Sequence, residues 1–201
     1  MDFIGPLPTT EKCHRYVLTF TDYYTMFVDL YPLKDKTAAG VANCIRTFVC
    51  RWGAPRRLLS DQGPEFVAEI TTEACRSFNI TTPVTRASHP QTNGLDERTN
   101  QTLKMRLSKL VNEHPTDWDT FLEDLAYSVR TQNQATTKYS PFFLMFGRHP
   151  RPTREMDSGD EPHEGLPTAP EVKLDEMVAR RQEVIAVVKQ HVSTFDRCEI
   201  K

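Results

Sequence analysis

Leu58-Leu59-Ser60-Asp61-Gln62-Gly63-Pro64 and, further along, His89-Pro90-Gln91-Thr92-Asn93-Gly94-Leu95-Asp96-Glu97 are the stretches on which the fold turns. The first reads as a short apolar strand that delivers a carboxylate into a Gly-Pro turn. The second reads as a polar loop feeding a helix whose first turn presents another carboxylate. Two acids carried by two rigid elements are what a hard divalent cation needs. The rest of the chain decides whether a third is supplied.

Upstream, Met1 to Ile4 is apolar except for Asp2, and Gly5-Pro6-Leu7-Pro8 ends it as an extended segment. Arg15–Asp22 and Met26–Leu33 are β-rich runs separated by Tyr23-Tyr24-Thr25, a hairpin pattern. From Thr37 to Trp52 the apolar residues Val41, Ile45, Phe48 and Val49 recur at helical spacing, and Gly53-Ala54-Pro55 stops them. Arg56–Ser60 is a further strand, Glu69–Phe78 a helix, and Ile80–Val84 a fifth strand whose Pro83 suits an edge. Leu95–Val111 carries the stripe Leu103, Leu107, Leu110, Val111, and Trp118–Val129 forms one more amphipathic helix. The apolar run Tyr139–Gly147 is expected to cap the core. Residues 151–170, with Pro152, Pro162, Pro167 and Pro170, read as a linker, and 171–201 as a C-terminal helix and tail. An antiparallel meander followed by α/β crossovers predicts an α/β fold with a mixed five-stranded sheet flanked by helices, contained in residues 1–150.

The charge is unevenly spread. Residues 1–155 hold 19 Lys+Arg against 17 Asp+Glu, a balance of +2, while 156–201 hold 6 against 10, a balance of −4. The acidity thus belongs to the tail and the main body is slightly basic. No run approaches the roughly eighteen apolar residues of a membrane span. The five cysteines, Cys13, Cys44, Cys50, Cys75 and Cys198, are scattered without a Cys-x-x-Cys pair. They read as reduced thiols of an intracellular protein and not as a zinc site.

A two-metal phosphoryl transferase needs two or three carboxylates around ions about 3.5–4 Å apart. Three acids have that setting: Asp2 in the first strand, Asp61 at the end of the fourth, and Glu97 at the start of a helix, with 35 residues (62 to 96) between the last two. Asp22 ends a β-run and reads as structural. Asp96 points about 100° away from Glu97 on a helix. Lys104 follows Glu97 by seven residues, so two turns return it to nearly the same face, with Asn100 between them. A basic residue there suits a phosphate, although a solvated helix lysine has the same pattern. Trp52 and Trp118 sit at helical spacing and read as core.

Asp2-Phe3-Ile4-Gly5-Pro6-Leu7-Pro8, Ser60-Asp61-Gln62-Gly63-Pro64-Glu65-Phe66, Ser88-His89-Pro90-Gln91-Thr92-Asn93-Gly94 leading to Glu97-Arg98-Thr99-Asn100, and Ser140-Pro141-Phe142 with Phe146-Gly147 occur in this order. Together they resemble the catalytic core of retroviral and gypsy-type retrotransposon integrases, the D,D(35)E group with an RNase H-like fold. The resemblance implies that Asp2, Asp61 and Glu97 bind Mg²⁺ or Mn²⁺. It implies metal-dependent DNA nicking and strand transfer, and DNA contacts at Gln62, Asn100 and Lys104. It also implies a homo-oligomer without membrane association and a nuclear or otherwise intracellular location. Gly63 is expected to permit tight passage beside Asp61, and Gly94 to free the loop before Glu97. The His-His-Cys-Cys zinc module and the small β-barrel that flank such cores are expected to be missing, which suggests a fragment or a transposon-derived host protein. Two functions stay open: an active DNA strand transferase or endonuclease, and a domesticated, catalytically decayed nucleic-acid- or protein-binding module. An RNase H-type hydrolase on the same fold is a weaker third.

Overall fold

Val17 and Leu18 are adjacent in one strand and both fully buried, which requires a sheet covered on its two faces. The computed structural model describes residues 1–82, 93–134, 137–150, 179, 182–184 and 186, and of 93–100 only the main chain. Strands β1 (Asp2–Ile4), β2 (Tyr16–Thr21) and β3 (Val28–Leu33) form an antiparallel sheet in the order β1-β2-β3, with Asp2 opposite Thr19 and Thr19 opposite Leu30. The expected hairpin is present. β3 starts at Val28 and not at Met26, because Met26 adopts a left-handed φ of 58° that a strand cannot continue.

Helix α1 (Ala38–Trp52) begins where the sequence predicts, with the Thr37 hydroxyl accepting from the Gly40 N–H at 3.2 Å. It ends on Gly53, whose φ of 91° suits a residue without a side chain. Two short helices follow, α2 (Pro64–Val67) and α3 (Glu69–Ser77), then α4 (Asn93–Glu113), a 3-10 turn at Trp118–Phe121, α5 (Leu122–Thr131) and α6 (Pro141–Phe146).

Two apolar clusters fill the two sides of the sheet. Val17, Val28 and Leu30 meet Leu103, Leu107 and Val111 of α4, Trp118, and Leu122, Ala126 and Val129 of α5. Leu18, Phe20 and Tyr31 meet Val41, Cys44 and Ile45 of α1, with Leu58, Phe66, Cys75 and Ile80. The layering is helix, sheet, helix.

The expected fourth and fifth strands are reduced, among the described residues, to a parallel bridge of Arg57 with Thr81. The Leu58 N–H donates to Thr81 O at 3.0 Å and the Thr81 N–H to Arg56 O at 3.0 Å. The described sheet is therefore three-stranded where five strands were expected; Pro83 and Val84 lie outside the described residues. The Met1 amino nitrogen donates to Leu59 O at 2.6 Å, which brings the start of β1 against this segment.

The connection from β1 to β2 is strapped to the segment between α4 and α5 by three bonds. Trp118 Nε1 donates to Pro8 O at 2.8 Å, the Glu11 N–H donates to Thr116 O at 2.9 Å, and His14 Nδ1 lies 2.6 Å from Asp119 Oδ2. Gly5 is required at the head of this connection: a Cβ there would lie 2.7 Å from Arg15 O, at a φ of 130°.

By its contacts the chain divides into two units, Met1–Asp22 with Val28–Val129, and Tyr23–Phe27 with Arg130–Lys201. α6 and its apolar run belong to the second unit, with Ser140 as N-cap and buried Phe143 and Leu144. There Phe27 meets Phe146 edge-on at 5.7 Å under the Arg130 guanidinium. Of the tail expected at 171–201, residues 179, 182–184 and 186 are described and are helical; the linker 151–170 lies outside the described residues. No described helix is long and apolar enough to cross a membrane.

Candidate active site

Side-chain alternation in β1 decides where Asp2 goes. Ile4, two residues on, packs against the cluster that contains Leu103 and Leu107, so Asp2 shares the face covered by α4. Its carbonyl accepts from Thr19 Oγ1 at 3.0 Å and its Oδ1 from the Phe3 N–H at 2.8 Å. Oδ2 is left facing α4, where Lys104 Nζ stands 3.9 Å away. Both side chains are substantially exposed (41% and 53%), so water screens this pair.

Asp61 follows the Leu58–Ser60 segment and is exposed, with Oδ1 accepting from the Gly63 N–H at 3.2 Å. Leu59, whose carbonyl receives the Met1 nitrogen, is two residues before it. β1 and the segment that leads to Asp61 are thus neighbours. Gln62, next to Asp61, is exposed. Gly63 has a φ of −54°, which any residue adopts, so its role is space and not backbone freedom; a Cβ would meet the Glu65 carboxyl at 3.0 Å. Pro64, at the first position of α2, starts a helix where the sequence suggested only a turn.

Glu97 lies on α4, as does Asn100; both side chains fall outside the described residues, as does the loop from Pro83 to Thr92. Asn93 and Gly94 are already helical, so Gly94 does not loosen a loop. The backbone still constrains Glu97. It lies two turns, about 10 Å, N-terminal to Lys104 on nearly the same helix face. Helical side chains lean toward the N-terminus, so the Lys104 chain reaches from its own turn toward that of Glu97. Among the described residues no three His, Cys, Asp or Glu side chains converge as a metal site. Asp2 and Asp61 supply the hard, exposed oxygen donors that Mg²⁺ or Mn²⁺ takes, and so fit such an ion.

Asp22 is exposed beyond the end of β2. A further acid, not expected from the sequence, is Asp29. It is 1% exposed, and its Oδ2 accepts from Tyr31 OH at 2.7 Å and Trp52 Nε1 at 2.8 Å. It faces α1, the side of the sheet away from Asp2. A carboxylate between Val28 and Leu30 in an otherwise apolar strand was the available signal. Burial first, then Asp29, pushes the Cys44 thiol up to about 12 and raises the Tyr31 hydroxyl as well. Trp118 is core, as read from the sequence; Trp52 is half-buried and a partner of Asp29.

Residues 1–90 match the integrase core domain family. Gypsy retrotransposon integrase-like protein 1 of Bos taurus is 32% identical over 150 residues, covering 75% of this chain and 30% of that protein. The chain therefore spans under a third of that curated relative's length. Among solved structures, the catalytic core of BIV integrase aligns with a TM-score of 0.59 at 22% identity, over 72% of this chain and 91% of that one. The HTLV-2 integrase catalytic core, solved with magnesium, aligns with a TM-score of 0.55 at 19% identity, over 71% of this chain and 99% of that one. The fold is thus the RNase H-like α/β fold of integrase catalytic cores. By sequence, residues 1–90 thus resemble integrase core domains, and the chain is similar to gypsy retrotransposon integrase-like proteins.

Proposed function

We propose that residues 1–150 form an integrase-type polynucleotidyl transferase core that nicks DNA and joins a DNA 3′ end to a second strand. What supports this reading is the bond from Met1 to Leu59, which sets β1 beside the segment leading to Asp61, together with Lys104 of α4 standing 3.9 Å from Asp2. Asp2, Asp61 and Glu97 would hold two divalent cations, Mg²⁺ or Mn²⁺. Such ions supply Lewis-acid activation of the attacking oxygen and neutralise charge on the phosphate. The chain's own work is positioning. The sheet fixes Asp2, the Asx turn at Gly63 orients Asp61, and α4 presents Glu97 and Asn100. Lys104, now on Asp2, is placed to turn its ammonium to a DNA phosphate, and Gln62 flanks the same strand. DNA is the partner, the working form is a homo-oligomer, and the nucleus is the place of action.

The test is Mg²⁺- or Mn²⁺-dependent nicking and strand transfer on an end-labelled duplex, with Glu97→Gln alongside. Activity that depends on metal and vanishes in the variant supports the proposal. Activity that survives Glu97→Gln, or none in the wild-type chain, overturns it. DNA binding without activity would favour the domesticated, catalytically decayed module.

A further inference from the structure

The other side of β1 carries a feature that the metal site does not use. Phe3 alternates with Asp2 and so faces α1 and α2, where its ring stacks on Phe66 at 5.3 Å and meets Tyr16 edge-on at 6.4 Å. Lys36 lays its Nζ over both rings, 5.1 Å from the Phe3 centroid and 5.5 Å from that of Tyr16; the Arg15 guanidinium lies 6.0 Å from the Tyr16 centroid. Tyr16 pairs with Leu33 and the Arg15 N–H donates to Leu33 O at 2.9 Å, so Arg15 and Lys34 flank one step of the ladder. All three cations are exposed, and among the described residues none has a carboxylate oxygen within 4 Å. The acid between the two lysines, Asp35, receives the Thr37 hydroxyl at 3.0 Å, and that hydroxyl in turn caps α1.

Three positive charges without counter-charges, two of them seated on aromatic faces, make a surface that lacks an anion. Aromatic seating holds the cations in place and lowers the ordering cost of contact. The partner is a polyanion of regular charge spacing, because the surface adjoins both acids of the candidate site. Phe3 is the next residue after Asp2, and Phe66 lies in the helix that starts three residues after Asp61. A nucleic-acid strand with one phosphate at those acids carries further phosphates past this edge of the sheet.

We infer that Arg15 and Lys36, seated on the rings of Phe3 and Tyr16, form with the exposed Lys34 a second phosphate-binding surface that takes the DNA backbone flanking the reacting site. The inference rests on the proposed function for its partner and adds a contact on the opposite face of β1 from Lys104.

Salt dependence tests it without catalysis. Binding of a fluorescent duplex to the full chain is measured by anisotropy in EDTA across about 50–200 mM salt. Each phosphate contact contributes about 0.9 to the slope of log affinity against log salt. The Arg15→Ala/Lys34→Ala/Lys36→Ala variant should show a slope shallower by about 2.7, equal to about 40-fold less affinity lost over a fourfold rise in salt. The charge-conserving Lys34→Arg/Lys36→Arg variant should keep the wild-type slope, and circular dichroism of both variants should match the wild type. Wild-type binding with an unchanged slope in the alanine variant overturns this surface and leaves the proposed function standing. No wild-type binding at all overturns both. Loss of affinity for a polyglutamate peptide, with DNA affinity kept, would replace DNA by an acidic protein segment and also overturn the inference.

Discussion

Replacing His14 with alanine strands a carboxylate. Asp119 Oδ2 lies 2.6 Å from His14 Nδ1, and its side chain is 2% exposed against 20% for the imidazole. Removing one partner of a buried, hydrogen-bonded pair costs about 3–5 kcal/mol, because the remaining charge has lost its compensation. The imidazole is not wholly buried and water can fill part of the gap, so the lower end, about 3 kcal/mol, is expected. For a chain of this size each kcal/mol moves Tm by about 2–4 °C, which gives a fall of about 6–12 °C. Thermal melts followed by circular dichroism, with urea midpoints as a second measure, read the effect. The double variant His14→Ala/Asp119→Ala removes the stranded charge along with the imidazole. It should therefore cost at least about 1 kcal/mol less than the sum of the two single changes. A fall in Tm below about 2 °C for His14→Ala, or strict additivity in the double variant, would refute the reasoning.

Other changes probe other layers. Leu107→Ala, at a side chain 1% exposed between the sheet and α4, should cost about 2–5 kcal/mol in denaturant unfolding. Lys104→Ala should make the salt slope of DNA binding shallower by about 0.9 and weaken binding alike for all sequences, as a phosphate contact does. The folded chain keeps the Cys44 thiol protonated up to about 12, above its ordinary value of 9.0. The folded state thus binds more protons than the unfolded one in that window. Stability is fully present below about pH 9 and should fall as pH rises toward 12. Urea midpoints at rising pH would show this, with a shallower fall in Cys44→Ala; the raised Tyr31 hydroxyl adds to the same trend. Thiol alkylation at pH 8 should reach the exposed Cys13 and Cys50 and spare the buried Cys44 and Cys75.

Local rules carried the sequence reading where local chemistry decides structure. Thr37 and Gly53 bound α1 as a capping hydroxyl and a left-handed stop should. The stripe Leu103, Leu107, Val111 does face the core, and Asp2 and Lys104 fall on one side of β1 because the two-residue strand period and the helical period both place them there. Failures came where tertiary context overrode local preference. Gly63-Pro64 was read as a turn, yet Pro64 opens a helix, at whose first position its missing N–H costs nothing. Asp29 was passed over because a buried carboxylate is costly unless partners from outside its own strand satisfy it, and Trp52 is distant in sequence. The basic surface at Arg15, Lys34 and Lys36 was invisible for a similar reason: strand pairing, not sequence proximity, brings Arg15 to the lysines.

The central claim is that Asp2 and Asp61 share bound cations beside α4, and Mn²⁺ binding by the full chain tests it most directly. Titration followed by the electron paramagnetic resonance of free Mn²⁺ should give saturable binding in the wild type. Asp2→Asn and Asp61→Asn should each weaken it by at least about tenfold, while Asp29→Asn, on the other face of the sheet, leaves it unchanged. Wild-type affinity retained in either Asp2→Asn or Asp61→Asn would contradict the account.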